Sequence, residues 1–122
     1  MKVLIIDDED DIRRISKLAL GRVGGMDVVD ASGGDAGMAL AVAEAPDAIL
    51  LDVMMPGRDG PATLALLKAD PRTAHIPVIF LTAKAMAAEI ERLRALGAAG
   101  VLTKPFDPMS LAASVRAILG AR

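Results

Sequence analysis

The sequence contains no cysteine, no tryptophan and no tyrosine, and it has only two phenylalanines and one histidine. Without cysteine there is no disulfide framework, no cysteine-ligated zinc and no thiolate nucleophile, a composition that suits the reducing cytoplasm. The lone His75 excludes a multi-histidine metal site and leaves Ser-His-Asp catalysis a single possible base. Its place between a helix and a strand reads as a surface loop. An aromatic content of 2% offers almost no platform for stacking bases, and a formal charge of −2 gives no chain-wide attraction to phosphate backbones. Direct DNA binding is therefore not expected. A membrane helix needs about 20 consecutive apolar residues, and no run approaches that. The leading Val3-Leu4-Ile5-Ile6 meets acidic residues too early for a secretory leader, so a soluble protein that is not exported is expected. What chemistry remains must come from carboxylates, hydroxyls and lysines.

A chain of 122 residues, 53% hydrophobic and 25% charged, fits one domain with a single core over 1–122. Short apolar runs predict strands near 2–6, 27–31, 48–51, 77–81 and 100–103. Between them, apolar residues return every three or four positions, as at Ile12, Ile15, Leu18, Ala19 and Val23. Helices are expected near 10–23, 34–45, 60–69, 86–96 and 108–119. Strands that are continuously apolar, not alternating, imply burial on both faces, hence a parallel five-stranded sheet with helices on either side: a doubly wound α/β domain of five βα units. Ser32-Gly33-Gly34-Asp35 reads as a capping box, and Asp107-Pro108 as a cap followed by a first-turn proline. Gly24-Gly25 and Gly97 mark helix ends. The methionines read mostly as core filler, with Met54 set apart.

The polar residues sit where the apolar runs end. The first run leads into Asp7-Asp8, the third into Asp52, the fourth into Thr82 and the fifth into Thr103-Lys104. In a parallel sheet all carboxyl ends share one edge, and with strand order 2-1-3-4-5 the winding reverses between strands one and three, where ligands bind in such sheets. Gathered carboxylates repel by about 4 kcal/mol per pair at 4 Å and an effective dielectric near 20, so a cation must compensate. All-oxygen donors point to a hard ion such as Mg²⁺. Beside it an aspartate can act as nucleophile toward a phosphoryl group, and Asp52 is the candidate. Lys104 and Thr82 fit as an ammonium and a hydroxyl that grip phosphoryl oxygens. Each residue also has a plainer reading. The run Asp7 to Asp11 could be an acidic first helical turn, Asp52 a turn residue, Thr82 a helix cap and Lys104 a solvated charge. Four such coincidences at four strand ends favour the functional reading.

The sequence resembles the receiver domains of bacterial two-component response regulators, in particular the single-domain, chemotaxis-type kind. The resemblance is carried by Val3 to Glu9, by Asp47 to Gly57 with Asp59-Gly60, by Pro77 to Ala83 and by Gly97 to Phe106, in this order and spacing. It implies a flavodoxin-like (βα)5 fold and a switch in which Asp52 accepts a phosphoryl group from a sensor histidine kinase or histidine phosphotransfer protein, then loses it by autodephosphorylation. It implies Mg²⁺, replaceable by Mn²⁺, held by Asp8 directly, Asp7 through water, Asp52 and the main-chain carbonyl of Met54. Thr82 and Lys104 would hold the phosphoryl oxygens, with Met54 and Lys84 influencing attack by water. Lys104-Pro105 is expected to be cis. Such a protein catalyses only its own modification, acts as a monomer or weak phosphorylation-dependent dimer, and signals to a downstream protein through helix four, strand five and helix five. Where many members carry an inward-rotating aromatic, this chain has Val101, so loop and backbone movement must carry the signal.

Three other functions compete. An aspartyl-nucleophile phosphohydrolase could use Asp8-Glu9-Asp10, although the chain has no room for a cap domain. A phosphorylation-independent receiver-like binding module would have no need of the full set Asp7, Asp8, Asp52, Thr82 and Lys104. A flavin or nucleotide module would want a glycine- or hydroxyl-rich loop after strand one, where this chain is acidic.

Overall fold

Val3 to Ile6, Ala48 to Leu51 and Val78 to Leu81 are excluded from solvent altogether, as strands apolar on both faces require. The computed structural model describes residues 1–120 and shows both sides covered; Ala121 and Arg122, the end of the expected 1–122 domain, lie outside the described residues. The strands are β1 (Lys2–Ile6), β2 (Asp27–Ala31), β3 (Ala48–Asp52), β4 (Val78–Thr82) and β5 (Gly100–Thr103), all parallel in the order β2-β1-β3-β4-β5. The helices are α1 (Asp10–Lys17), α2 (Gly34–Glu44), α3 (Gly60–Ala69), α4 (Ala87–Ala95) and α5 (Leu111–Gly120).

Because successive strand side chains point to opposite faces, the core divides in two. Leu4, Ile6, Ile49, Leu51, Val78 and Phe80 pack with Ala41 of α2, Leu64 and Leu67 of α3 and Leu93 of α4. Val3, Ile5, Leu50, Ile79 and Leu81 pack with Ala19 and Leu20 beyond α1 and with Leu111, Ala112 and Val115 of α5. Fully burying each large aliphatic side chain stabilises the fold by about 2 kcal/mol. The connection leaving β1 lies on one face and that leaving β3 on the other, so the crevice opens between those two strands. This is the expected doubly wound, flavodoxin-like arrangement.

Several local expectations are corrected. After Lys17 the first helix widens into a π-helical stretch, Leu18–Val23, with Gly24 N–H donating to the carbonyl of Ala19 at 3.1 Å, and Gly25 ends it at φ +68°. The Ser32-to-Asp35 capping box does not form: the cap of α2 is Gly33, with no side-chain bond, and Asp35 instead accepts from Arg58 Nε at 2.8 Å. Asp107-Pro108 opens a separate turn, in which Asp107 accepts from Met109 N–H at 2.9 Å, and regular α5 begins three residues later than expected. Of the methionines, Met26 and Met55 are buried, but Met1, Met54, Met86 and Met109 are exposed, since the chain terminus and the loops after β3, β4 and β5 lie outside the core. β3 and β4 each run one residue further than expected, to Asp52 and Thr82, because ladder hydrogen bonds are indifferent to side-chain polarity.

Candidate functional site

Asp7 follows β1 directly and is held from every side. Its amide donates to the carbonyl of Ala31 at 3.1 Å, while its carboxylate accepts from Glu9 N–H at 2.9 Å and from the Lys104 ammonium at 2.8 Å. It is entirely excluded from solvent. Asp52 ends β3, pairs in register with Leu81 of β4 and is 4% exposed. Its side chain therefore stands at the crevice where the winding reverses. One oxygen each from Asp7, Asp8, Glu9 and Asp52 fall within 4.8 Å of one another, with Asp8 and Glu9 on the solvent side.

Lys104 reaches this cluster across the width of the sheet. The Lys104 amide donates to the carbonyl of Thr82 at 2.8 Å, which fixes where the side chain starts after β5. The Lys104-Pro105 peptide is cis, as expected. The ammonium then lies 2.8 Å from Asp7, 3.2 Å from Asp52 and 3.6 Å from Glu9. Thr82, in register with Thr103, is buried; its hydroxyl accepts from Lys84 N–H at 3.0 Å, which leaves the hydroxyl proton for another acceptor.

Electrostatics follow from this crowding. Burial, then the charge of Asp7, pushes the Asp52 carboxyl up from 3.8 to about 6, against the pull of Lys104. Burial also opposes the Lys104 ammonium, but the hydrogen bond and charge of Asp7, with the charge of Asp52, outweigh it and hold its pKa above the ordinary value. Four carboxylates face one ammonium, so the pocket is short of positive charge. The donor set is all oxygen, and no backbone hydrogen bond among the described residues uses the Met54 carbonyl two residues beyond Asp52. Hard, strongly hydrated divalent cations suit such donors.

Two residues of the site, Glu9 and Gly60, stand in the sequence motifs without a role read for them there. Glu9 joins the cluster only because the chain turns after Asp7-Asp8. Gly60 begins α3 directly over β3: a Cβ there would lie 2.4 Å from the carbonyl oxygen of Asp52 and 2.8 Å from Val53 Cα. Only glycine lets the helix start so close. The α3 N-terminus is then capped by Asp59, which accepts from Ala62 N–H at 2.9 Å.

With this geometry in hand, the comparisons with known proteins are consistent. The family profile of the response regulator receiver domain matches residues 3–116. A chemotaxis protein, CheY4 of Vibrio cholerae, superposes with a TM-score of 0.89 at 29% identity, over 96% of this chain and 97% of that one. The "DNA-binding dual master transcriptional regulator RpaA" of Synechocystis is 42% identical over 97% of this chain, which spans 48% of that protein. The chain thus covers about half the length of such relatives. In contrast, the "Probable chemotaxis protein CheY" of Rhizobium etli, 33% identical, is matched over 94% of its length and 99% of this chain. By its profile match, its strand order and its relatives, the chain belongs to the response regulator receiver domain family.

Proposed function

We propose that the chain is a phosphoryl-accepting signalling switch of a two-component system, a single receiver domain over 1–122 that works in the cytoplasm. The observation that carries this is the Lys104 ammonium bridging Asp7 and Asp52 at 2.8 and 3.2 Å from a position 52 residues beyond the proposed acceptor. A carboxylate oxygen of Asp52 attacks the phosphorus of a phosphohistidine on a sensor kinase or phosphotransfer protein. The new P–O bond forms as the P–N bond breaks, and the imidazole nitrogen keeps the electron pair. Lys104 exchanges a carboxylate contact for a phosphoryl oxygen, and the Thr82 hydroxyl donates to another. Later, water attacks the same phosphorus, inorganic phosphate departs and the Asp52 carboxylate is regenerated.

Asp7, Asp8, Asp52 and the Met54 carbonyl are the groups that would hold Mg²⁺ or Mn²⁺. Bound there, the ion supplies positive charge that offsets repulsion between the carboxylates and an incoming phosphoryl group. The chain acts on itself alone and turns over no external substrate. Val101 packs against the core shared by α2, α3 and α4, so no aromatic ring is available at that position to rotate inward. Movement of the loop after β4, where exposed Lys84 lies, carries the signal to the face formed by α4, β5 and α5, where a downstream protein docks.

The test is incubation with acetyl phosphate, with and without Mg²⁺, read by intact mass spectrometry. The native chain is expected to gain one phosphoryl group only with the metal, and Asp52→Asn to gain none. Label on another residue, steady turnover of acetyl phosphate without any labelled intermediate, or label independent of the metal would each overturn the reading.

A further inference from the structure

One side chain outside the acidic pocket grips the pocket's backbone without belonging to it. Arg13, on α1, donates from Nη1 to the carbonyl oxygen of Asp7 at 2.7 Å, from Nε to Asp30 at 3.2 Å, and from Nη2 to Asp10. Its side chain is only 16% exposed, and its bonds to Asp7 and Asp30 are part-buried, whereas the Asp10 carboxylate stands in solvent. Asp30 lies in β2, whose strand end also receives the Asp7 amide through Ala31, and its second oxygen is taken by Lys17 at 3.2 Å.

The Asp7 carbonyl is half of the peptide that joins Asp7 to Asp8. A donor fixed at that oxygen fixes the plane of the peptide, and the plane sets the direction in which the Asp8 carboxylate leaves the chain. Asp7 is already held at its amide and its carboxylate, whereas Asp8 is on the solvent side. Arginine suits this position because its planar fork presents donors in fixed directions toward a carbonyl and a carboxylate, where a lysine offers only a single flexible point charge. Groups that orient the residues around a metal from outside commonly account for a tenfold to hundredfold difference in affinity.

We propose that Arg13 is a positioning residue for cation binding: it orients the Asp7-Asp8 peptide against β2 through Asp30 and thereby sets the affinity of the acidic pocket for a divalent ion. The inference rests on the reading of that pocket as a Mg²⁺ site. It makes no claim on the phosphoryl-transfer step itself. Once the ion is bound, Asp52, Thr82 and Lys104 stand as before, so the defect belongs in the metal requirement and not in the maximal rate.

The test is isothermal titration of Mg²⁺ into the native chain and into Arg13→Ala, Arg13→Lys, Asp30→Asn and Lys17→Ala, together with the Mg²⁺ dependence of labelling by acetyl phosphate. Arg13→Ala is expected to weaken binding about tenfold or more and to raise the half-saturating Mg²⁺ by the same factor, with an unchanged plateau rate. Arg13→Lys and Asp30→Asn should each weaken it by a smaller factor, and Lys17→Ala, which touches only the far oxygen of Asp30, should leave it near native. Asp30→Asn keeps the side-chain shape and serves if Arg13→Ala fails to fold. Native affinity in both Arg13→Ala and Asp30→Asn, or a fallen plateau with an unmoved half-saturation point, would overturn the proposal. If the native chain itself binds no Mg²⁺, the metal-site reading fails with it; if the native chain binds and the variants bind equally, this inference fails alone.

Discussion

At the scale of single residues, Asp52 is the group whose environment is most at odds with its chemistry. The carboxylate proposed as the nucleophile is buried beside Asp7, and its pKa stands at about 6 against an ordinary 3.8. The folded state therefore binds the proton more tightly than the unfolded chain does. The resulting stabilisation is complete below about pH 4 and is lost as the pH rises through 6. In chelator, urea denaturation followed by circular dichroism should show the native chain losing stability between those values. Asp52→Asn should lack that part of the slope. Asp70 works in the opposite sense and in a separate window: the Arg72 hydrogen bond lowers it to about 2, so its contribution is lost only as the pH falls from the ordinary carboxylate value toward 2. Asp52 was legible in the sequence because it closes an apolar run. Arg13 was not, since an arginine beside a second arginine on a highly charged helix reads as one more surface charge until the fold lays it against the Asp7 carbonyl.

At the scale of elements, the junction of β3 and α3 is the tightest part of the site. Gly60 N–H donates to the Val53 carbonyl at 2.9 Å, and the helix begins in contact with the backbone of Asp52. In an open helix Gly→Ala would gain about 1 kcal/mol of propensity. Here the added methyl meets backbone atoms, which cannot rotate aside, and overpacking of that kind costs about 2 to 3 kcal/mol. Gly60→Ala is thus expected to destabilise the chain by about 1 to 2 kcal/mol in urea melts, and to slow labelling by acetyl phosphate as the loop carrying Met54 is displaced. Unaltered stability would mean that α3 can shift without disturbing β3. The sequence predicted α3 to the residue, at 60–69, from its apolar spacing, but placed α5 three residues early. Asp107 caps a turn there that the chain uses to leave the cis peptide before the helix can begin.

At the scale of the whole molecule, four strand ends on one sheet edge supply a site in which negative charge exceeds positive. An ion that binds the folded chain and not the unfolded one stabilises by about 2.7 kcal/mol at a concentration one hundred times its Kd. For a domain of this size that corresponds to a rise in Tm of about 10 °C. Thermal melts with Mg²⁺ should show such a rise in the native chain and a much smaller one in Asp8→Asn. A rise equal in both would place the ion elsewhere.

Local order and class were set by the sequence alone. Apolar runs too continuous for a one-sided sheet required a parallel arrangement with two helical layers, because main-chain polar groups and apolar side chains must both be satisfied within a few residues of each other. The acidic, hydroxyl and ammonium groups were visible at the strand ends for the same reason, as breaks in those runs. Only the tertiary structure decided which of them meet and at what distance: Lys104 against Asp7 and Asp52, Glu9 alongside Asp8, Arg13 on the Asp7 carbonyl, and Gly60 against β3. Those contacts depend on sheet register and on how helices cross the sheet, and both are fixed by packing among residues far apart in the chain.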